Sequence, residues 1–161
     1  MGFIARGYFE GANLLVETLD HNPSNILVYP IVFLYRHFIE IQLKAILTEF
    51  QEMGCDVGRL LSHNLEFLLN MVNDKCNQRS LQSLSDEVGE VIQEFNEFDS
   101  NSQTFRYSRN RNGDPNIPEH DTLGLDRLKT SMDLVESELY GLLTELRETN
   151  KINQEISKEN I

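Results

Sequence analysis

The sequence predicts an all-α protein, an up-and-down bundle of about five helices. Three observations carry this. Apolar residues recur at spacings of three and four along most of the chain, the period of a helix that buries one face. No stretch alternates with a period of two, so no strand pattern competes. Glycine and proline gather between the periodic segments, at Pro23, Gly54, Gly58, Gly113, Pro115 and Pro118. The 161 residues, 40% hydrophobic, suit one domain with a full-size core. That domain is expected over residues 1–150, followed by a polar tail over 151–161.

The first helix is expected over about Phe3 to Leu19, with Tyr8, Ala12, Leu15 and Leu19 on one stripe. Asp20-His21-Asn22-Pro23 ends it. The second runs from Pro30 to Phe50, with Pro30 in its first turn, where a missing N–H costs nothing. Gly54 to Leu61 reads as a connection. The third helix runs from about Ser62, a suitable N-cap, to Lys75, with Leu65, Leu68, Leu69 and Val72 inward.

The fourth covers about Ser80 to Phe98. Leu81, Leu84, Val88, Val91, Phe95 and Phe98 form its apolar face, and Asp86, Glu87, Glu90, Glu94 and Glu97 fill the rest. Asp99 to His120 is irregular. The last helix runs from about Thr122 to Asn150, and Leu125, Leu128, Met132, Val135, Leu139, Leu142 and Leu146 make an a/d stripe. That stripe reads first as a bundle helix and second as a dimeric coiled-coil seam. The tail KINQEISKENI is expected to fray.

Composition narrows the function. The net charge of -12 repels nucleic acid at long range. Binding of RNA or DNA by the whole surface is therefore disfavoured, and a local basic patch has to carry any phosphate contact. Cys55 and Cys76 lack metal-ligand spacing and read as idle cytosolic thiols. The first residues carry Arg6 and Glu10 where a signal peptide needs an apolar run, and the longest uncharged apolar run, Ile26 to Tyr35, is too short for a bilayer. The expectation is a cytoplasmic protein without membrane, metal or cofactor.

Three stretches can carry chemistry. The first lies inside the second helix, where Arg36, His37, Glu40 and Lys44 interrupt an otherwise apolar segment. At 100° per residue they share a wedge of roughly 100°. Arg36 to Glu40 and Glu40 to Lys44 are each four apart, so Glu40 can serve two cations. Buried charges need partners. The wedge is thus either a structural ion-pair ladder or a positive cleft for a phosphate-bearing ligand or an acidic partner segment.

The second stretch is TFRYSRNRNGDP, Thr104 to Pro115. Arg106, Arg109 and Arg111 offer planar forks for phosphate, and Phe105 and Tyr107 offer stacking faces. Equally, the aromatics can anchor the loop while the arginines pair with helix acids. The third is Ser62-His63-Asn64-Leu65 at a helix start, where His63 can orient a neighbour, act as acid or base, or cap. His21 and His120 lack supporting context. No glycine-rich phosphate loop, His-Glu-x-x-His, nucleophile motif or Glu-x-x-His pair occurs.

The order YRHFIEIQLKAIL, SHNLEFLL and FNEFDSNSQTFRYSRNRNGDP resembles the HEPN superfamily of small helical bundles. The motifs are Arg36-His37, Glu40-Ile41-Gln42-Leu43-Lys44, Ser62-His63-Asn64-Leu65 and the Phe105-Arg106-Tyr107 turn. The resemblance spans about Tyr29 to Leu146. It implies an all-α bundle, often a homodimer, working in toxin–antitoxin, antiphage or RNA-processing systems, in some cases beside a nucleotidyltransferase partner.

Many members are metal-independent ribonucleases. Their signature is an arginine and a histidine separated by four to six residues. This sequence departs from it: Arg59 and His63 have three residues between them, and Arg111 and His120 have eight. The resemblance therefore implies a non-catalytic module first. It would bind a nucleotide, RNA or a partner protein through Arg36, His37, Glu40, Lys44, His63, Arg106, Tyr107, Arg109 and Arg111. A divergent ribonuclease using His37 or His63 with Arg36 and Arg106 comes second, and a purely structural interaction protein third.

Overall fold

Five α-helices and no strand are found among the described residues, which are 2–21, 27–98 and 125–159 of a computed structural model. They are α1 (Gly2–His21), α2 (Val28–Glu52), α3 (Leu65–Gln78), α4 (Asp86–Phe98) and α5 (Leu125–Glu159). The chain is an all-α helical bundle. None of these helices is long and apolar enough to cross a membrane.

Helix α2 is the hub, packing against α1, α3 and α5, while α4 closes on α3 and α5. It buries residues around most of its circumference, among them Ile31, Tyr35, Phe38, Ile39, Leu43, Ile46, Leu47 and Phe50. Tyr35 ties three helices together. Its hydroxyl donates to Asn13 Oδ1 on α1 at 2.6 Å. Burial, with the charge of Asp133 on α5 adding to it, pushes its phenol far above the ordinary value.

Helix α1 buries Ala5, Phe9, Ala12, Val16 and Leu19, while Tyr8 and Leu15 sit half-buried at the edge. The expected stripe holds at Ala12 and Leu19 and is turned by about 50°, half of one residue's 100°. In α3, Leu65, Leu68, Leu69 and Val72 are all buried, joined by Cys76. In α4, Val88, Ile92 and Phe95 face the core and Val91 is partly buried; on the segment before it Leu84 is buried and Leu81 partly so. In α5, Met132, Val135, Leu139, Leu142 and Leu146 are buried, so this part of the stripe is filled by the bundle itself.

Successive helices are neighbours, with one departure from simple alternation. The start of α3 lies beside the middle of α2, where His63 meets Arg36 and Glu40. Its end lies beside the end of α2, where Arg79 donates to Met53 O and Cys55 Sγ. Hence α2 and α3 run the same way, and residues 53–64 double back along them. Glycine makes the reversal possible. Gly54 sits at φ 82°, and Cys55 N–H donates to Phe50 O and Gly54 N–H to Gln51 O, the paired bonds of a Schellman motif.

Helix α3 ends the same way, with Leu81 N–H on Cys76 O and Ser80 N–H on Asn77 O. Here the left-handed position, φ 55°, is held by Ser80. This termination draws in Ser80 and Leu81, which is why α4 begins at Asp86 rather than at Ser80. Ser85 starts it: Glu138 of α5 accepts from both its N–H and its Oγ, and Oγ accepts from Val88 N–H. A side chain in the left-handed region carries a steric penalty that glycine lacks. Ser80→Gly is therefore expected to stabilise the protein by about 0.5–1 kcal/mol. A rise in the urea midpoint at unchanged slope is the check.

The last helix runs past its expected end at Asn150. Helix α5 continues to Glu159, although residues 151–158 are all exposed. Asn150 is buried and donates to Glu49 O and Glu49 Oε2 of α2, and Arg147 Nε donates to Glu49 Oε1. These bonds fix the helix at the end of α2. Beyond them Lys151, Glu155 and Lys158 alternate in sign at helical spacing.

Both cysteines are free thiols, Cys55 half-buried and Cys76 buried. Burial, with Glu145 nearby, pushes the Cys76 thiol up to about 11.

Candidate functional site

The charged wedge closes on itself. Three turns of α2 bring Arg36, Glu40 and Lys44 into line, and the returning connection lays His63 across them. Arg36 Nη1 donates to Glu40 Oε2 at 3.0 Å, and Lys44 Nζ donates to Glu40 Oε1 at 2.8 Å. The same Oε1 accepts from His63 Nδ1 at 2.8 Å. Arg36 Nη2 donates to the His63 carbonyl at 2.7 Å. One carboxylate thus gathers two cations and an imidazole, and one guanidinium holds both that carboxylate and the backbone carrying the imidazole.

Burial divides the members. Arg36 has no exposed surface and Glu40 has 5%. The Lys44 side chain is 18% exposed and that of His63 56%. The network is closed at its arginine end and opens at its histidine end. Burial pushes the Glu40 carboxyl up. Bonding and charge from Lys44, with the bonds from His63 and Arg36, outweigh it and hold the carboxyl below its ordinary value. Glu40 is therefore ionised at neutral pH, which is what the two cations beside it require.

His37 leaves this group. Its ring stacks on Phe33 at 5.0 Å and meets Tyr8 of α1 edge-on at 4.9 Å. It shares the wedge in projection but packs against α1, whereas Glu40 and Lys44 turn toward the connection. Arg106, Tyr107, Arg109 and Arg111 lie outside the described residues, as do Phe105 and His120. Arg59 is exposed on the connection.

What holds His63 in place is built locally. Ser62 is not the N-cap. Its Oγ accepts from Asn64 N–H two residues on, and Asn64 caps α3 by accepting from Phe67 N–H at 2.7 Å. This keeps His63 outside the helix, where its carbonyl can face Arg36 and its ring Glu40. Asn96 of α4, itself buried, accepts from Leu65 N–H at 2.9 Å. Asn64 was readable in the sequence as a strong N-cap beside an apolar run. Asn96 had no signal, because its partner lies 31 residues away.

Near His63 in the chain, Arg59, Leu61, Glu66 and Phe67 are exposed. Leu61 is 74% exposed and Phe67 51%. Among the described residues no group of three or more His, Cys, Asp or Glu side chains is placed to hold a metal ion.

No protein-family model, no curated protein and no solved structure matches this chain.

Proposed function

We propose that the chain is a non-catalytic interaction module, HEPN-like in fold, that acts in a defence or toxin–antitoxin setting through a protein partner and a second copy of itself. The observation that supports this reading is the enclosure of Arg36. An arginine that binds phosphate must present its planar fork to the ligand. Arg36 instead points both ends of its fork at Glu40 and the His63 carbonyl, and none of its surface meets solvent. Its role is to brace the connection between α2 and α3.

What the network offers outward is His63, with Leu61 and Phe67 beside it in the chain. An exposed imidazole with exposed apolar neighbours in the chain suits a protein partner better than a free nucleotide. The net charge of -12 favours a basic one.

One observation favours a second reading, a divergent metal-independent ribonuclease. Glu40 accepts from His63 Nδ1 while the His63 side chain stays 56% exposed, an arrangement suited to an oriented acid or base. Lys44 beside it would hold the phosphate.

The two readings part on one experiment. Purified protein is incubated with tRNA and mRNA in the absence of metal, wild type beside His63→Ala. The module leaves the RNA intact even at high protein concentration. Cleavage by the wild type that His63→Ala abolishes would establish the ribonuclease instead.

A further inference from the structure

The outer face of α1 has the composition of an interface. Phe3 is 95% exposed, Ile4 62% and Leu14 63%. At 100° per residue, Phe3, Gly7 and Leu14 fall within about 40° of one another, directly opposite the buried stripe of Ala5, Phe9, Ala12 and Val16. Ile4, Gly11 and Thr18 lie on one flank of this line, and Arg6, Glu10 and Glu17 on the other. The helix is therefore apolar on two faces, one packed on α2 and one not covered by the described residues. The three large side chains expose roughly 350 Å² per copy, within the range of patches that serve association.

We infer that this face pairs with α1 of a second copy, antiparallel, about a two-fold axis between residues 8 and 9. The proposal rests on the interaction-module reading and gives that module its self-association surface. Self-complementarity carries it. A two-fold there sets Phe3 opposite the second copy's Leu14 at both ends. Gly7, where an added Cβ meets nothing within 4 Å, lies near the axis, where a small residue lets backbones approach. The operation keeps each flank on its own side, so Arg6 comes level with the second copy's Glu10, about 1.5 Å apart along the axis.

Within one copy Arg6 already reaches Glu10 at 3.2 Å, both side chains exposed. The pair can thus be shared across the axis without leaving a charge unmatched. A membrane surface fits less well. Such helices carry an excess of Lys and Arg beside their apolar face, whereas this flank holds Arg6 against Glu10 and Glu17 and the whole chain is strongly acidic. With about 700 Å² of large side-chain surface from two copies, the dimer belongs to the weak class, with dissociation in the micromolar range.

Sedimentation equilibrium of the full chain tests this. The wild type is expected to show a reversible monomer–dimer equilibrium at micromolar concentrations. Gly7→Glu and Phe3→Glu should each weaken it at least tenfold without lowering the melting temperature. A Cβ at Gly7 meets nothing within 4 Å, and a carboxylate near a helix N-terminus is favourable. Arg6→Glu should weaken it too, and adding Glu10→Arg should restore it. A dimer indifferent to all of these changes would overturn the α1 assignment and leave the module self-associating elsewhere. A monomer at every concentration would overturn self-association altogether, leaving the module with its protein partner alone.

Discussion

Glu40→Ala is expected to cost about 3–5 kcal/mol of stability, because it takes from the buried guanidinium of Arg36 a carboxylate held at 3.0 Å. Arg36 has no exposed surface through which to find water. Lys44 and His63 lose the same partner but reach solvent, so they add little. In a chain of this length the loss corresponds to a fall in melting temperature of roughly 10 °C. Urea titration at neutral pH measures it.

The same site predicts a pH dependence. The folded carboxyl of Glu40 lies below its ordinary 4.5. A depressed carboxyl contributes stability above the unfolded value, and that contribution disappears as pH falls through the folded value. The wild type should therefore lose stability from just above pH 4.5 downward. Glu40→Gln, already weakened at neutral pH, should lose less over the same interval. Equal slopes for the two proteins would mean that Glu40 does not titrate as described.

Asn96→Ala comes next, at about 2 kcal/mol. The buried Asn96 supplies the acceptor for Leu65 N–H, the first amide of α3. Without it a donor at a helix start is left in the core unbonded. Asn96→Leu separates the causes, because leucine fills the space but cannot accept. If the lost acceptor dominates, both variants fall together. If the cavity dominates, leucine recovers the stability. Because α3 carries His63 at its entrance, both variants should also loosen the contact between His63 and Glu40, visible as a change in the His63 ring resonances.

Much of the bundle was legible in the residues. Helix periodicity located all five elements, because each buries one stripe against a neighbour and the stripe leaves its spacing in the sequence. The cores of α3 and α5 followed directly. The register of α1 did not, because its second apolar face, with Phe3 and Leu14, blurred the first. Helix ends were less legible. Nothing local distinguishes a serine that starts a helix from one that ends the preceding helix in the left-handed region, as Ser80 does.

The wedge of α2 was legible as a set of pairs, since Arg36, Glu40 and Lys44 are joined at helical spacing. Its enclosure was not. That depends on His63, brought back by a connection whose path no spacing encodes, and on Asn64 and Asn96, which set where α3 begins. His37 shows the reverse case. Spacing placed it with the charges, but the rings of Tyr8 and Phe33 hold it elsewhere.

The central claim is that the charges of α2 form an internal brace rather than a ligand site. A double-mutant cycle on Arg36→Met and Glu40→Leu tests it most directly. A brace predicts that each single change destabilises, Glu40→Leu the more because it takes a carboxylate from a fully buried guanidinium while Glu40 keeps Lys44 and His63 when Arg36 is lost, and that the double change recovers most of the loss. A ligand site held together at the expense of stability predicts the opposite sign for the single changes. Either variant alone raising the urea midpoint would contradict the account.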